Sequence, residues 1–158
     1  MPITVDVRTL PPMTVACLHH IGSVDDIDSA MRDALAQAKT HGLLSADVKP
    51  VRLCHDVARK TEPNQRHFDA GVTVAESTTN CGPLDRAEVK GGTYAVVLHR
   101  GPHVGVGKTY GWLLDTWLPH SGYAVRSGPS VEVFINDPAD TADSDLMTEI
   151  RVPIRPAA

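Results

Sequence analysis

The sequence predicts an α+β domain made of two strand-helix-strand-strand units, one over about residues 10–75 and the other over about 90–155. Three observations predict this class. Short apolar–polar alternations recur with period two. Two stripes of apolar residues recur at helical spacing. Pieces of the two halves also match letter by letter. A chain of 158 residues suits one domain with its own core, or two small repeats sharing one, and we read 1–158 as a single domain.

The elements follow in order. Ile3-Thr-Val-Asp-Val-Arg8 alternates as an edge strand does, Leu10-Pro-Pro12 is a turn, and Met13 to His20 is a second strand. Ser23 with Asp26 three residues on forms a capping box at a helix start. Ile27, Ala30, Met31, Ala34, Leu35 and Ala38 then form the apolar stripe of a helix that stops at Gly42. Val51 to His55 and Phe68 to Val74 complete the first unit as strands, with a polar loop over Arg59 to Gln65 between them.

The second unit repeats this order. Thr93 to His99 is a strand, Gly101-Pro102 is the turn into a helix, and Val106, Tyr110, Leu113, Leu114 and Trp117 make its stripe up to Pro119. Val131 to Ile135 is a strand, Asn136 to Asp140 a loop, and Thr148 to Ile154 the last strand. His20-Ile-Gly22-Ser23 falls on His99-Arg-Gly101-Pro102, and Val72-Thr-Val74 on Val152-Pro-Ile154. A sheet built in this order is largely antiparallel.

Composition excludes several functions. Hydrophobic residues make up 42% and charged residues 22%, the balance of an ordinary globular protein. A net charge of −4 without any Lys/Arg run excludes a nucleic-acid surface. The chain enters a strand directly after Met1, with no basic leader, and no apolar run approaches the length of a bilayer span. Cys17, Cys54 and Cys81 form no Cys-x-x-Cys and are expected to be reduced thiols of a cytoplasmic protein, the first two buried in strands.

Gly101-Pro-His-Val-Gly-Val-Gly-Lys-Thr109 ends like a phosphate-binding loop, but Pro102 stands where the first glycine belongs and has no N–H to offer. In the first half its counterpart is an ordinary helix start. Gly101-Pro102 is therefore expected to be a turn, with Lys108 and Thr109 inside the helix, and no nucleotide. No metal or cofactor is expected either. His99 and His103 are separated by a turn and lack a completing acid or Cys, and His19 and His20 point to opposite faces of a strand. Gly-x-Ser-x-Gly is absent.

The run His99-Arg-Gly-Pro102, Tyr110, Trp117-Leu-Pro119, Ser121-Gly-Tyr123, Ile135-Asn-Asp-Pro138 and Thr148 to Ile154 resembles the gyrase-inhibitor-like (GyrI-like) effector-binding domains. His20-x-Gly22 and Phe68-Asp-Ala-Gly71 match the corresponding pieces of the first half, so the resemblance covers about residues 3–155. It implies two halves related by a pseudo-two-fold axis that clasp a ligand cleft. It also implies one of three activities: binding of small amphipathic, often cationic, organic molecules by a sensing or sequestering module; hydrolysis of strained cyclopropane-bearing toxins; or inhibition of DNA gyrase by direct contact. Without a DNA-binding segment, the freestanding class of the family is expected.

The candidate site residues are Glu149, Tyr110, Phe68, Trp112 and Arg151. Alternation puts Glu149, Arg151 and Pro153 on one face of their strand and Ile150, Val152 and Ile154 on the other. A carboxylate facing a cleft holds a cation or takes a proton, and the resemblance implies that Glu149 is the acid at the bottom of the pocket. In a hydrolase, Glu149 activates water and Tyr110 orients it. Asp69 aligns with Glu149 under the repeat. Phe68 belongs to the aromatic-Asp-Ala-Gly strand, and Tyr110 and Trp112 lie on the second helix, where Trp117 reads as core. Arg151 departs from the family's Thr-Glu-Ile-Tyr and stands beside Glu149, where it can pair with it. With aromatics at only 4%, there are few rings from which to build a cage for flat cations.

Overall fold

In a computed structural model that describes residues 3–22, 26–45, 48–55, 66–137 and 140–157, the alternating segments pair into one antiparallel sheet. The strands are β1 (Val5–Leu10), β2 (Met13–Gly22), β3 (Pro50–Cys54), β4 (Arg66–Val74), β5 (Asp85–Val89), β6 (Gly92–Arg100), β7 (Tyr123–Val125), β8 (Ser130–Phe134) and β9 (Met147–Pro156). The helices are α1 (Ile27–Thr40) and α2 (Val106–Trp112). The order across the sheet is β1-β6-β9-β8-β3-β4-β2-β5, with β7 added to β9. This is the α+β class that the alternation and the two stripes predict.

The helices cover one face. Met31 and Ala34 of α1 pack on Phe68 and Ala70 of β4 and on Phe134 of β8. Ala34 and Ala38 have no exposed surface, and their small side chains let the helix lie close to the sheet. Val106, Tyr110 and Leu113 pack on Ala95 and Val97 of β6 and on Ile150, Val152 and Ile154 of β9. The α1 footprint thus spans β4 to β8, and the α2 footprint lies on the neighbouring β9 and β6.

The opposite face carries its own core. Val15 and Cys17 of β2, Val89 of β5, and Tyr94 and Val96 of β6 share one cluster with Val51, Leu53, Val131 and Val133. Strands β5 and β6 stand far apart in the sheet order, yet both contribute to this one cluster. Cys17, Cys54 and Cys81 are buried free thiols.

Local details refine the sequence expectations. Ser23 of the capping box lies outside the described residues, as does the polar loop over 59–65; Asp26 is the N-cap of α1 and makes no side-chain cap bond. Gly101 has φ +111°, a conformation open to glycine, and Pro102 is extended. A 3₁₀ turn over His103–Gly105 then leads into α2, which contains Lys108 and Thr109. The turn-into-helix expectation holds there. Past Trp112 the chain continues as a π-helical turn over Leu113–Trp117 and a 3₁₀ turn over Leu118–His120 that contains Pro119. Strands β5 and β7 have no counterpart in the sequence reading. Asp-Arg-Ala-Glu-Val is a charged edge strand, whose polar letters resist pairing with other chains and also hide its alternation.

Candidate functional site

The polar centre of the molecule lies where β3 meets β8. Arg52 and Glu132 are direct cross-strand partners there, on the face that carries the helices. Glu132 is fully buried and Arg52 is 7% exposed. Both charges interrupt apolar runs, Val51-Arg-Leu53 and Val131-Glu-Val133, and each side chain takes the face its strand alternation assigns.

Arg52 grips the carboxylate with two donors. Its Nε donates to Oε1 of Glu132 at 3.0 Å and its Nη2 to Oε2. Cys54 Sγ donates to Oε2 at 3.1 Å, and the Tyr110 hydroxyl, brought down from α2, donates to Oε2 at 2.8 Å. Oε2 thus takes three donors and Oε1 one, which leaves lone-pair capacity on Oε1. The guanidinium also lies 5.3 Å from the centre of the Phe68 ring, a cation–π distance.

Burial pushes the Glu132 carboxyl upward, but the charge and hydrogen bonds of Arg52, with those of Cys54 and Tyr110, outweigh it and hold the group below its ordinary range. Burial and the neighbouring Glu132 charge raise the Tyr110 phenol well above its usual value. Burial raises the Cys54 thiol likewise, with Glu132 adding to it against the pull of Arg52. The centre is therefore one closed ion pair with two protonated donors. A buried carboxylate held this way is a hydrogen-bond acceptor and a weak base.

Two further groups stand on the same face. Thr148 is the cross-strand partner of Phe134, two residues along from Glu132, and its buried hydroxyl has no hydrogen-bond partner among the described residues. The His103 ring meets Phe134 edge-on at 4.4 Å, and its Nδ1 lies 3.6 Å from Oδ1 of Asp28 in the first turn of α1. Burial lowers the His103 pKa against the pull of Glu132 and Asp28.

The predicted site residues separate into two groups. Tyr110 and Phe68 lie at the centre just described. Trp112, only partly buried, packs against the α2 cluster. Glu149 lies on the other face of the sheet, paired across the strands with Val133 and Leu98. Arg151 Nε donates to Glu149 Oε2 at 2.7 Å, and Arg8 Nη1 lies 3.8 Å from Oε1. The pairing of Arg151 with Glu149 that their spacing suggests is present, and it occupies the carboxylate far from the helices. Asp69 shares that face, between His19 and His55. Sequence reasoning passed over Arg52, Cys54 and Glu132. Their signal was a single charge of each sign set inside a strongly apolar strand, a pattern that burial tolerates only when the charges pair.

Among the described residues, no helix is long and apolar enough to cross a membrane. A family model described as the GyrI-like small molecule binding domain matches residues 3–155. The probable transcriptional regulator YgiV of Escherichia coli K12 is 26% identical over 156 residues, 96% of this chain and 98% of that protein. The C-terminal domain of EcmrR superposes with a TM-score of 0.84 at 18% identity, over 99% of this chain and 100% of that one. EcmrR in its DNA complex gives 0.82 at 17% identity over 98% of this chain, which spans 58% of that one. SAV2435, solved with bound tetraphenylphosphonium, gives 0.67 at 12% identity over 96% of this chain and 94% of that one. At these identities the solved structures share the fold.

Proposed function

Because this chain belongs to the GyrI-like family of small molecule binding domains, we propose that it binds a small amphipathic organic molecule as a sensing or sequestering module. The site is the region between α1 and α2 over β3 and β8, and the acid that anchors the ligand is Glu132 rather than Glu149. The observation that carries this reading is the buried Glu132 carboxylate, gripped by Arg52, Cys54 and Tyr110 yet with acceptor capacity left on Oε1. The unpartnered Thr148 hydroxyl offers a second polar contact nearby. Apolar walls with a few convergent polar groups are what small-molecule sites are built from.

Arg52 changes what the site selects. A bare buried carboxylate attracts a cation, whereas a carboxylate already paired with a guanidinium has little net charge to offer. The ligand is therefore a neutral or weakly cationic amphiphile that donates a hydrogen bond. SAV2435 was solved with a lipophilic cation, so a phosphonium dye is the natural comparison probe.

The same reading treats the two strand-helix-strand-strand units as related halves about a pseudo-two-fold axis. In support, β3, β4 and β2 adjoin in the same sequence as β8, β9 and β6 do, outward from the β3–β8 seam.

The test is calorimetric titration of the full chain with tetraphenylphosphonium and with neutral and anionic amphiphiles of similar size. Saturable one-site binding is expected, at least tenfold weaker in Glu132→Gln and weakened in Tyr110→Phe. Absence of saturable binding across the panel, or unchanged affinity in both folded variants, overturns the proposal. A second reading, hydrolysis of a strained electrophile, draws on the 2.8 Å contact of the Tyr110 hydroxyl with Glu132. The low basicity of the paired carboxylate disfavours it. Product formation from a cyclopropane-bearing alkylator faster than in buffer, and lost in Glu132→Gln, would establish it.

A further inference from the structure

Strand pairing assembles a second polar cluster on the face away from the helices. His19 of β2 stands directly opposite Asp69 of β4, and Asp69 stands opposite Leu53 of β3. His55, two residues beyond Leu53, therefore faces the same side, and so does His67, two residues before Asp69. His19 Nδ1 lies 2.7 Å from Asp69 Oδ1, and His55 Nε2 lies 2.8 Å from Asp69 Oδ2. One ligand atom from each of the three residues falls within 4.8 Å of the other two.

We propose that His19, His55 and Asp69 form a binding site for one divalent first-row transition metal ion of the zinc class. Two imidazoles and one carboxylate are the donor set such ions take, with the remaining positions open to water or an added ligand. The donors come from three different chain segments that backbone pairing already holds in register, since His55 N–H donates to the His67 carbonyl at 3.1 Å. Little rearrangement is needed to bring them to metal–ligand distances of about 2.0–2.2 Å. The His19 and His55 side chains are 47% and 39% exposed and that of Asp69 13%, so an ion reaches the site from solvent while the carboxylate is fixed from below.

Hydrogen bonds already turn both rings toward the carboxylate. The carboxylate accepts a hydrogen bond from each ring, so in the free protein His19 carries its proton on Nδ1 and His55 on Nε2. A metal ion coordinates through a bare nitrogen of each ring. The second ring nitrogen of His19, Nε2, lies 3.4 Å from His67 Nδ1. Orientation of a ligating imidazole through its second nitrogen is the usual support of such sites.

The experiment is calorimetric titration of the tag-free, chelator-stripped full chain with zinc chloride, repeated with cobalt(II) to read the coordination from its visible spectrum. One ion per chain is expected, with affinity at least tenfold weaker in both His19→Ala and His55→Ala and unchanged in the control His120→Ala. A cobalt spectrum altered by Asp69→Asn in a chain that remains folded by circular dichroism is expected as well. Failure of zinc to bind, or affinity unchanged in both histidine variants, overturns the proposal. Neither outcome bears on the Glu132 site, because the two clusters lie on opposite faces of the sheet.

Discussion

Removing one charge of the Arg52–Glu132 pair leaves the other buried without compensation. Arg52→Met should therefore cost roughly 3–5 kcal/mol of stability, while Arg52→Met combined with Glu132→Leu should recover much of that loss. Urea unfolding of the single and double variants checks this, and a double variant no more stable than Arg52→Met would contradict it. Asp69 sets a pH dependence. Its folded-state pKa is lowered, so the unfolded chain binds the proton more tightly. The resulting stability is present above the unfolded value of about 3.9 and is lost as pH falls through the lower folded value. Asp69→Asn should flatten the acid limb of a stability profile between about pH 5 and 2, and an unchanged limb would refute the assignment. The site was legible only in part at this scale. Tyr110 and Phe68 could be picked out because aromatics at helix and strand positions draw attention. Glu132 could not, since a strand-borne glutamate reads as solvated until its partner on a different strand is known. The resemblance instead offers Glu149 as the acid of the pocket, and titration of Glu132→Gln tests the choice between the two acids.

Gly71 shows how an element depends on one missing atom. A Cβ there would lie 2.0 Å from the Ala16 carbonyl oxygen and 2.7 Å from Cys17 Cα, both backbone atoms of β2. Gly71→Ala must then push β4 off β2 and should destabilise the chain by about 3 kcal/mol or more. Hydrogen exchange should speed first in the β2–β4 ladder; a variant with native melting would show that the strands can part at little cost. Most elements were legible because their patterns are strong: the strand over Met13 to His20 and the stripe of α1 are both present in the structure. Strand β5 was not, since an edge strand in contact with water carries charges that break the pattern. Nor was the π turn over Leu113–Trp117, because a stripe at three- and four-residue steps does not specify the width of a helical turn.

At the scale of the whole molecule, the two halves are interlocked. β1, from the start of the chain, pairs with β6 of the second unit, and β5 pairs with β2 of the first, while β3 and β8 join in the middle. The apolar cluster beneath these strands draws on both units. A chain divided near Asn80 should therefore give two fragments that are unfolded alone and native-like when mixed, as circular dichroism and two-dimensional NMR would show. A fragment that folds by itself would contradict the shared core.

That interlocking has a consequence for assembly. The halves meet along strand edges, through a shared apolar cluster and through side-chain pairs such as Arg52 with Glu132, and none of these requires both halves to come from one polypeptide. Two chains that opened between β4 and β5 would recover the same pairings by exchanging halves, giving a domain-swapped dimer whose folded lobes match the monomer. The connection from Ala75 to Leu84, between β4 and β5, would be the hinge of such an exchange. Its length, rather than any surface patch, governs the balance between one chain closing on itself and two chains closing on each other.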